Sequence, residues 1–271
     1  FNSFLKSVWV DHPYSKSILG EEENINEIEL YDLHNFHKKY YIPINSCIAI
    51  AGKLPKNYLE IFNNCEFRES RKNLTDSKQI CLDNKTIKKG REIAFFKDIE
   101  FTRIFMTWQI PYAKDQKNIL GYEIISSILT DGRNSILNRK LKEEKQIVES
   151  IYSGIQPGEF GSLFIIEASL ERENLKKVED IINNLLQELL TNSKLSNKIK
   201  KALRIVKSNY IFNLETSSQL SQFYGNHLLW GRLNPQIELN KNFKYWKSTE
   251  NLRKLIKFLL QDKFTFIAYK I

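Results

Sequence analysis

Cysteine is scarce and scattered in this sequence. Three cysteines, Cys47, Cys65 and Cys81, occur in 271 residues, and no two of them form a C-x-x-C pair. A disulfide framework and a structural zinc site made of cysteines therefore find no support. The thiols are interpreted as reduced, which favours a reducing compartment, the cytoplasm or an organelle matrix; the sequence does not choose between them.

Long apolar runs are also absent. No window approaches the roughly 20 apolar residues that a membrane-spanning helix needs, so no span is predicted and a soluble protein is expected. The single methionine is Met106, and the chain begins with Phe1. We therefore expect a sequence whose leading part has been removed or is missing. Aromatic residues, in contrast, make up 12% of the chain, enough to form a core that a disordered protein lacks.

Acidic residues are few in the last third of the chain. Residues 191–271 contain 15 lysines and arginines but 4 acidic residues, an excess of +11 in a chain whose net charge is +9. Such an excess suits an acidic partner, a nucleic acid or an anionic membrane. A solvated lysine-rich face is the simpler interpretation. Because no zinc-finger or RNA-recognition motif accompanies the charge, nucleic-acid binding is not predicted.

The basic residues of this part are expected on the solvent side of a helix over 195–214. Its apolar residues recur at helical spacing and should face a sheet; they are Leu195, Ile199, Leu203 and Val206. The lysines between them should then face water; they are Lys194, Lys198, Lys200, Lys201 and Lys207.

Apolar periodicity predicts an α+β fold with a mostly antiparallel sheet backed by helices. The predicted strands cover 92–97, 102–110, 147–155, 163–169 and 264–269. The predicted helices of the same part cover 117–129, 173–190, 195–214, 217–230 and 249–261. Because the strands come mainly in hairpins, one of them closed by the Pro157-Gly158 turn, regular parallel alternation is not expected.

A polar stretch without periodicity divides the chain. Residues 66–90 are predicted to be a linker between a first part, 1–65, and a second domain, 91–271. The first part is predicted to hold one helix at 25–41, a strand at 47–51 and a helix at 55–63. This helix–strand–helix unit resembles the end of a second α+β domain. A duplicated architecture with a truncated first domain is therefore expected.

The residues alone show no catalytic constellation. His34 and His37 are the candidate metal pair, but no third ligand is spaced to join them. His12 lies in a predicted loop, and His227 is interpreted as structural. No H-E-x-x-H or H-x-x-E-H motif is present, so the chain cannot build that kind of zinc site. Ser135 lacks the strand–turn–helix context of a catalytic serine. No catalytic residue and no metal ligand is assigned.

Several short motifs occur in a consistent order along nearly the whole chain. They are His12-Pro-Tyr-Ser-Lys-Ser-Ile-Leu-Gly20, Asp32-Leu33, Phe36-His-Lys-Lys-Tyr-Tyr41, Pro43, Asn45, Gly52, Gly132-Arg-Asn-Ser135, Leu141-Lys-Glu-Glu-Lys-Gln-Ile-Val148, Gly161-Ser-Leu-Phe, Glu173-Asn174 and Leu214-Glu-Thr-Ser217. No one motif is strong. In this order and spacing they resemble the pitrilysin/insulinase family of zinc metallopeptidases.

The resemblance implies two homologous α+β domains of the type found in mitochondrial processing peptidase. In that family an H-x-x-E-H helix and a later glutamate hold zinc, and the His-Pro-Tyr loop follows them. The resemblance therefore places the zinc site upstream of Phe1. It implies a parent protein that is a zinc metalloendopeptidase, hydrolysing peptides in a closed chamber, and a present chain that is inactive by itself and binds no zinc.

Two positions bear on the kind of subunit. Family members that hold substrate with the second domain carry an arginine and a tyrosine seven residues apart, and the matching positions here are Lys142 and Glu149. No substrate-binding residue is therefore assigned. The resemblance implies the zinc-bearing kind of subunit, with an Arg/Tyr-bearing homologue as partner, or a homo-oligomer. The alternative is a noncatalytic core or scaffold subunit. The peptide substrate is not indicated.

Overall fold

A computed structural model describes residues 1–64 and 86–271. The chain divides into two compact units. Unit 1 consists of Phe1–Lys16, Leu82–Ser208 and Ile237–Ile271, and unit 2 of Ser17–Cys81 and Asn209–Gln236. The limits of these units differ from the predicted domain boundaries at residues 65 and 91. The predicted domain boundaries stay a prediction. Most of the predicted linker, together with Cys65 and Cys81, lies outside the described residues.

Unit 1 is built on a five-stranded sheet. Its strands are β1 (Gly90–Phe96), β2 (Thr102–Ile110), β3 (Ser150–Gln156), β4 (Ser162–Leu170) and β5 (Phe264–Lys270). Their order is β1-β5-β2-β4-β3, and every pair is antiparallel except β1–β5. The predicted α+β class, with a mostly antiparallel sheet and helices, is confirmed.

The helices of the described residues range from five to 18 residues in length. They are α1 (Asn2–Val8), α2 (Glu22–Asn26), α3 (Leu30–Tyr40), α4 (Tyr58–Asn63), α5 (Gln116–Thr130), α6 (Leu175–Thr191), α7 (Leu195–Phe212), α8 (Ser217–Leu229), α9 (Pro235–Tyr245) and α10 (Thr249–Phe258). A π-helical turn covers Asn138–Glu144, and short 3₁₀ turns cover Pro13–Ser15, Pro43–Asn45 and Arg172–Asn174. Helices α1 and α9 were not predicted from the sequence.

Two predictions for unit 2 are wrong. The helix predicted over 25–41 is divided into α2 and α3, because Glu29 and Asp32 cap α3 reciprocally, each side chain accepting from the other residue's backbone N–H. The predicted strand at 47–51 is irregular. A strand needs a neighbour for its backbone hydrogen bonds, and the described part of unit 2 contains no other strand.

The two faces of the sheet are covered by different elements. On one face α1 packs through Phe4, whose ring stacks on Phe105 of β2 with 4.8 Å between centroids. On the other face Tyr122 of α5 lies 5.7 Å from Phe164 of β4, which in turn contacts Trp108. Side chains alternate between faces along a strand, so β2 and β4 contribute apolar residues to both layers.

A hydrogen-bonded carboxylate joins α1 to the edge strand β1. Glu92 accepts from the Ser7 hydroxyl at 2.6 Å and from the Lys88 ammonium at 2.8 Å. The bonds from Lys88 and Ser7 hold the pKa of the Glu92 carboxyl below its ordinary value of 4.5. Because its pKa falls on folding, the Glu92 carboxylate stabilises the native state above about pH 4.5, and this stabilisation is lost as the pH falls through the folded pKa.

We expect Glu92→Gln to lower the free energy of unfolding at pH 7 and to change it little at pH 3. The loss should be about 0.5–1 kcal/mol, since a third of the side chain is exposed and solvent weakens the interaction. Urea unfolding at both pH values measures it. Asp262→Asn, in the exposed pair with Lys89, is the control and should be neutral. An equal loss at both pH values would contradict the assignment.

Candidate functional site

The structure brings Lys142 and Glu149 together. Lys142 lies in the π-helical turn and Glu149 immediately precedes β3. The Lys142 ammonium donates to the backbone carbonyl of Glu149 at 2.8 Å, and the Glu149 N–H donates to the carbonyl of Ser169 on β4 at 2.8 Å. Both side chains are exposed. An ionised glutamate only accepts hydrogen bonds, so this pair does not present two side-chain donors to a substrate carbonyl.

A tight reversal between the two positions produces this proximity. Leu141 and Val148 are buried and fix both ends of the segment. Between them Gln146 adopts φ +50°, in the left-handed region, and the Ile147 N–H donates to the Leu141 carbonyl at 3.0 Å. The chain therefore doubles back within a few residues, which places residue 149 beside residue 142.

The Gly132–Ser135 motif forms the turn after α5. Gly132 has φ +79°, a conformation that side chains disfavour. The Ser135 hydroxyl donates to the Gly132 carbonyl at 2.7 Å, and the Asn138 amide donates to the Thr130 carbonyl at 2.6 Å. Ser135 is buried and already bonded within the turn. Its role in this geometry is to close the turn, where its hydroxyl also accepts from the Asn138 amide at 3.2 Å.

A cavity of about 60 Å³ lies between this turn and α7. Lys198 and Lys201 of α7 line it together with Ser127 of α5. Lys198 is half-buried rather than directed to water, so the expectation for this residue is wrong. Burial lowers the pKa of its ammonium, and the charges of Arg139, Lys201 and Lys194 lower it further.

The candidate metal pair does not fit zinc. His34 and His37 are exposed on α3, and the His37 ring stacks on Tyr41 with 4.7 Å between centroids. Among residues 1–64 and 86–271, no three His, Cys, Asp or Glu side chains lie close enough together to hold a metal ion. A zinc site in proteins needs at least three such ligands.

The other two histidines are buried among aromatic residues. His12 precedes the first 3₁₀ turn, where its Nδ1 accepts from the Tyr14 N–H at 3.1 Å and its ring stacks on Trp9 at 4.6 Å. In unit 2, the ring of His227 on α8 lies 4.5 Å from Phe223. Both histidines therefore contribute to packing in their own units.

None of the helices within the described ranges is both long and apolar enough to cross a bilayer.

Comparison with known families identifies the class of protein. Residues 27–203 match the family described as the peptidase M16 inactive domain, and the chain belongs to this family. The predicted resemblance to the zinc metallopeptidases of the pitrilysin/insulinase type is thereby confirmed.

Curated relatives carry zinc protease names and are longer than this chain. The zinc protease PqqE of Helicobacter pylori is 24% identical over 258 residues, which are 92% of this chain and 57% of that protein. The mitochondrial presequence protease of Saccharomyces cerevisiae is 25% identical over 177 residues, 63% of this chain and 18% of that protein. The chain thus spans little more than half of the first relative and less than a fifth of the second.

Solved structures share the fold. A protease from Helicobacter pylori superposes with a TM-score of 0.77 at 20% identity, covering 98% of this chain and 65% of that one. A peptidase M16 inactive domain from Pseudomonas fluorescens superposes with a TM-score of 0.78 at 16% identity, covering 100% of this chain and 65% of that one. At these identities the likeness establishes the architecture.

Proposed function

We propose that the chain is a noncatalytic part of a zinc metalloendopeptidase that hydrolyses peptides within a closed chamber. The observation that supports this most is the match of residues 27–203 to the peptidase M16 inactive domain. A relative named as a zinc protease matches 92% of the chain but extends well beyond it. In this proposal residues 1–65 end the catalytic-type domain and residues 91–271 form the noncatalytic one.

The chain's own residues contribute walls and contact surfaces to such an enzyme. The described side chains do not assemble a zinc site, so in this proposal the zinc ligands belong to another part of the parent protein. An H-x-x-E-H motif in the reading frame before Phe1 would support the proposal directly. A full-length frame without this motif would favour the scaffold alternative.

The Lys142–Glu149 geometry bears on substrate binding and on the partner. The Lys142 ammonium is bonded to the backbone carbonyl of Glu149, and the Glu149 side chain is an exposed carboxylate. These two groups do not supply the paired donors that stabilise a developing oxyanion. We therefore propose that a second, homologous subunit with the Arg/Tyr pair supplies these donors; a homo-oligomer remains the other proposed assembly, and in it every copy would carry Lys142 and Glu149 at these positions. The same geometry suits a core subunit that has lost both motifs, which keeps the scaffold as the second candidate.

We expect the 271-residue chain to bind no stoichiometric zinc and to cleave no peptide. The reason is the donor set: His34 and His37 are two exposed ligands without a third. Dialysis against zinc followed by emission spectroscopy measures the metal, and a quenched fluorescent peptide library measures cleavage. The matched control is a protein that includes the preceding reading frame, which should bind zinc. One tightly bound ion in the short chain would contradict this prediction.

A further inference from the structure

A cleft between α7 and the α9 region of unit 1 has no role in the proposed function. Its volume is about 660 Å³. The residues that line it are Ile199, Lys200, Leu203, Arg204, Lys207, Asn240, Phe243, Lys244 and Lys247. We call it the basic groove. All of these residues belong to unit 1.

The rims of the groove are cationic. Lys200, Arg204 and Lys207 recur along α7 at spacings of four and three, which places them on one helix face. Lys244 and Lys247 stand on the opposite rim. All five side chains are exposed, and the lining residues within 1–64 and 86–271 include no acidic one. Among the described residues none of the five takes part in an ion pair.

The floor of the groove is apolar. Ile199 and Phe243 form its buried base, and Leu203 is partly exposed between the rims. The aliphatic stems of the rim lysines extend this apolar surface, because a lysine keeps its charge in water while its methylenes lie along the protein. The groove therefore offers an apolar stripe flanked by positive charge on both sides.

We propose that the basic groove binds an acidic amphipathic helix of a partner protein. An apolar ridge at i, i+3, i+4 and i+7 would lie on Leu203 and Phe243, and glutamates or aspartates on either side of it would pair with the two rims. The distance from Lys200 to Lys207 corresponds to about two helical turns, so a segment of about 12–16 residues suffices. This interaction is distinct from the proposed peptidase function and does not depend on it.

The shape and lining of the groove favour a helix over other polyanions. A single-stranded nucleic acid binds best where exposed aromatic rings stack on its bases, and the one aromatic ring here, Phe243, is buried. An anionic membrane is a broad surface that meets flat or convex faces, whereas this site is a concave cleft between helices. A peptide helix fills the cleft and meets both charged rims.

The positions of the α7 lysines determine which of them line the basic groove. Reversal of Lys198 and Lys201 would not probe the groove, because these two residues line the smaller cavity beside the turn after α5. Only Lys200, Arg204 and Lys207 combine exposure, placement on α7 and contact with the groove. Because α7 contains no acidic residue, introducing glutamates there relieves repulsion between its cations and should not unfold the helix.

The test uses the 271-residue chain and a fluorescein-labelled helical peptide of about 14 residues, with leucines at helical spacing and glutamates elsewhere. Binding is measured by fluorescence anisotropy. We expect the wild-type chain to bind this peptide and to bind a glutamine-for-glutamate version at least roughly tenfold more weakly. Binding should weaken from 0.1 to 1 M salt, since the screening length falls from about 10 to about 3 Å.

Two variants and one control test whether peptide binding depends on the groove or on the positive charge of the chain as a whole. K200E/R204E/K207E should weaken binding roughly tenfold or more. K176E/K177E/K257E makes the same charge change at exposed positions of α6 and α10 and should change binding less than roughly twofold. Leu203→Gln should weaken binding while leaving its salt dependence unchanged, because it removes apolar contact and no charge.

Four results would overturn the proposal. They are unchanged binding by K200E/R204E/K207E, an equal loss in the α6/α10 control, equal affinity for the glutamine peptide, and tighter binding of a single-stranded oligonucleotide or of phosphatidylserine vesicles than of the peptide. Circular dichroism and the midpoint of thermal unfolding establish that each variant is folded.

Discussion

Replacing Trp246 by alanine should lower the free energy of unfolding by about 3–5 kcal/mol, the largest effect expected of a substitution in the helical layer. The indole is only 2% exposed. Its Nε1–H donates to the Lys117 carbonyl in the first turn of α5 at 2.6 Å. The substitution opens a cavity and removes a hydrogen bond that joins the segment between α9 and α10 to α5.

The Trp246 indole packs against Gly121 of α5, a position without a side chain. A Cβ at this position would lie 2.5 Å from both Trp246 and Leu255 of α10, closer than any real contact. The helices approach each other at the glycine, and the indole occupies the space that a side chain would need. Trp246→Phe should therefore recover part of the loss, since it refills volume but lacks the N–H donor.

Urea unfolding followed by far-ultraviolet circular dichroism measures the Trp246→Ala effect. Tyr245→Ala is the matched control, because the neighbouring aromatic residue is exposed and should cost less than about 1 kcal/mol. A loss below about 1 kcal/mol for Trp246→Ala would show that the segment does not pack on α5 as described.

Periodicity within single elements was sufficient to predict most of the sheet. Strand β2 was predicted at its observed bounds, and the hairpin of β3 and β4 follows from the Pro157-Gly158 turn. These features depend on residues close in sequence. The position of β5 between β1 and β2, parallel to the first and antiparallel to the second, depends on long-range pairing that a local pattern does not contain.

The predictions that failed share a dependence on the surroundings of an element. The strand predicted at 47–51 has an apolar sequence but no partner strand in the described part of unit 2. Helix α9 was not predicted, because its sequence is polar and its apolar residues are few; Pro235 at its first position was the available signal. Without α9 the basic groove could not be anticipated, although the charge excess of residues 191–271 was.

For the candidate site, the sequence predicted which residues occupy the two positions but not how their atoms are arranged. The family resemblance pointed to Lys142 and Glu149, and their departure from the Arg/Tyr pattern is visible in the sequence alone. The Lys142 ammonium bonds the Glu149 backbone because the chain reverses at Gln146, a residue with positive φ. A left-handed glutamine is not a pattern that propensity predicts.

The N-terminal helix α1 offers the second large effect. We expect Phe4→Ala to lower the free energy of unfolding of unit 1 by about 3–5 kcal/mol. The Phe4 side chain is fully buried, stacks on Phe105 of β2 at 4.8 Å and meets Phe266 of β5 at 6.0 Å. Alanine would leave a cavity directly over β2 and β5.

This variant also discriminates between two divisions of the chain. If residues 1–16 belong to unit 1, as the packing of α1 indicates, Phe4→Ala must reduce the protection of β2 and β5 amides from hydrogen exchange. If they belong energetically with residues 17–65, as the predicted boundary has it, protection in the sheet should be unchanged. Val10→Ala, at an exposed position of the same segment, controls for changes near the N-terminus and should leave the exchange of both strands as in the wild type. Because exchange is read strand by strand, the comparison locates the destabilisation and does not rely on a single cooperative unfolding of the whole chain.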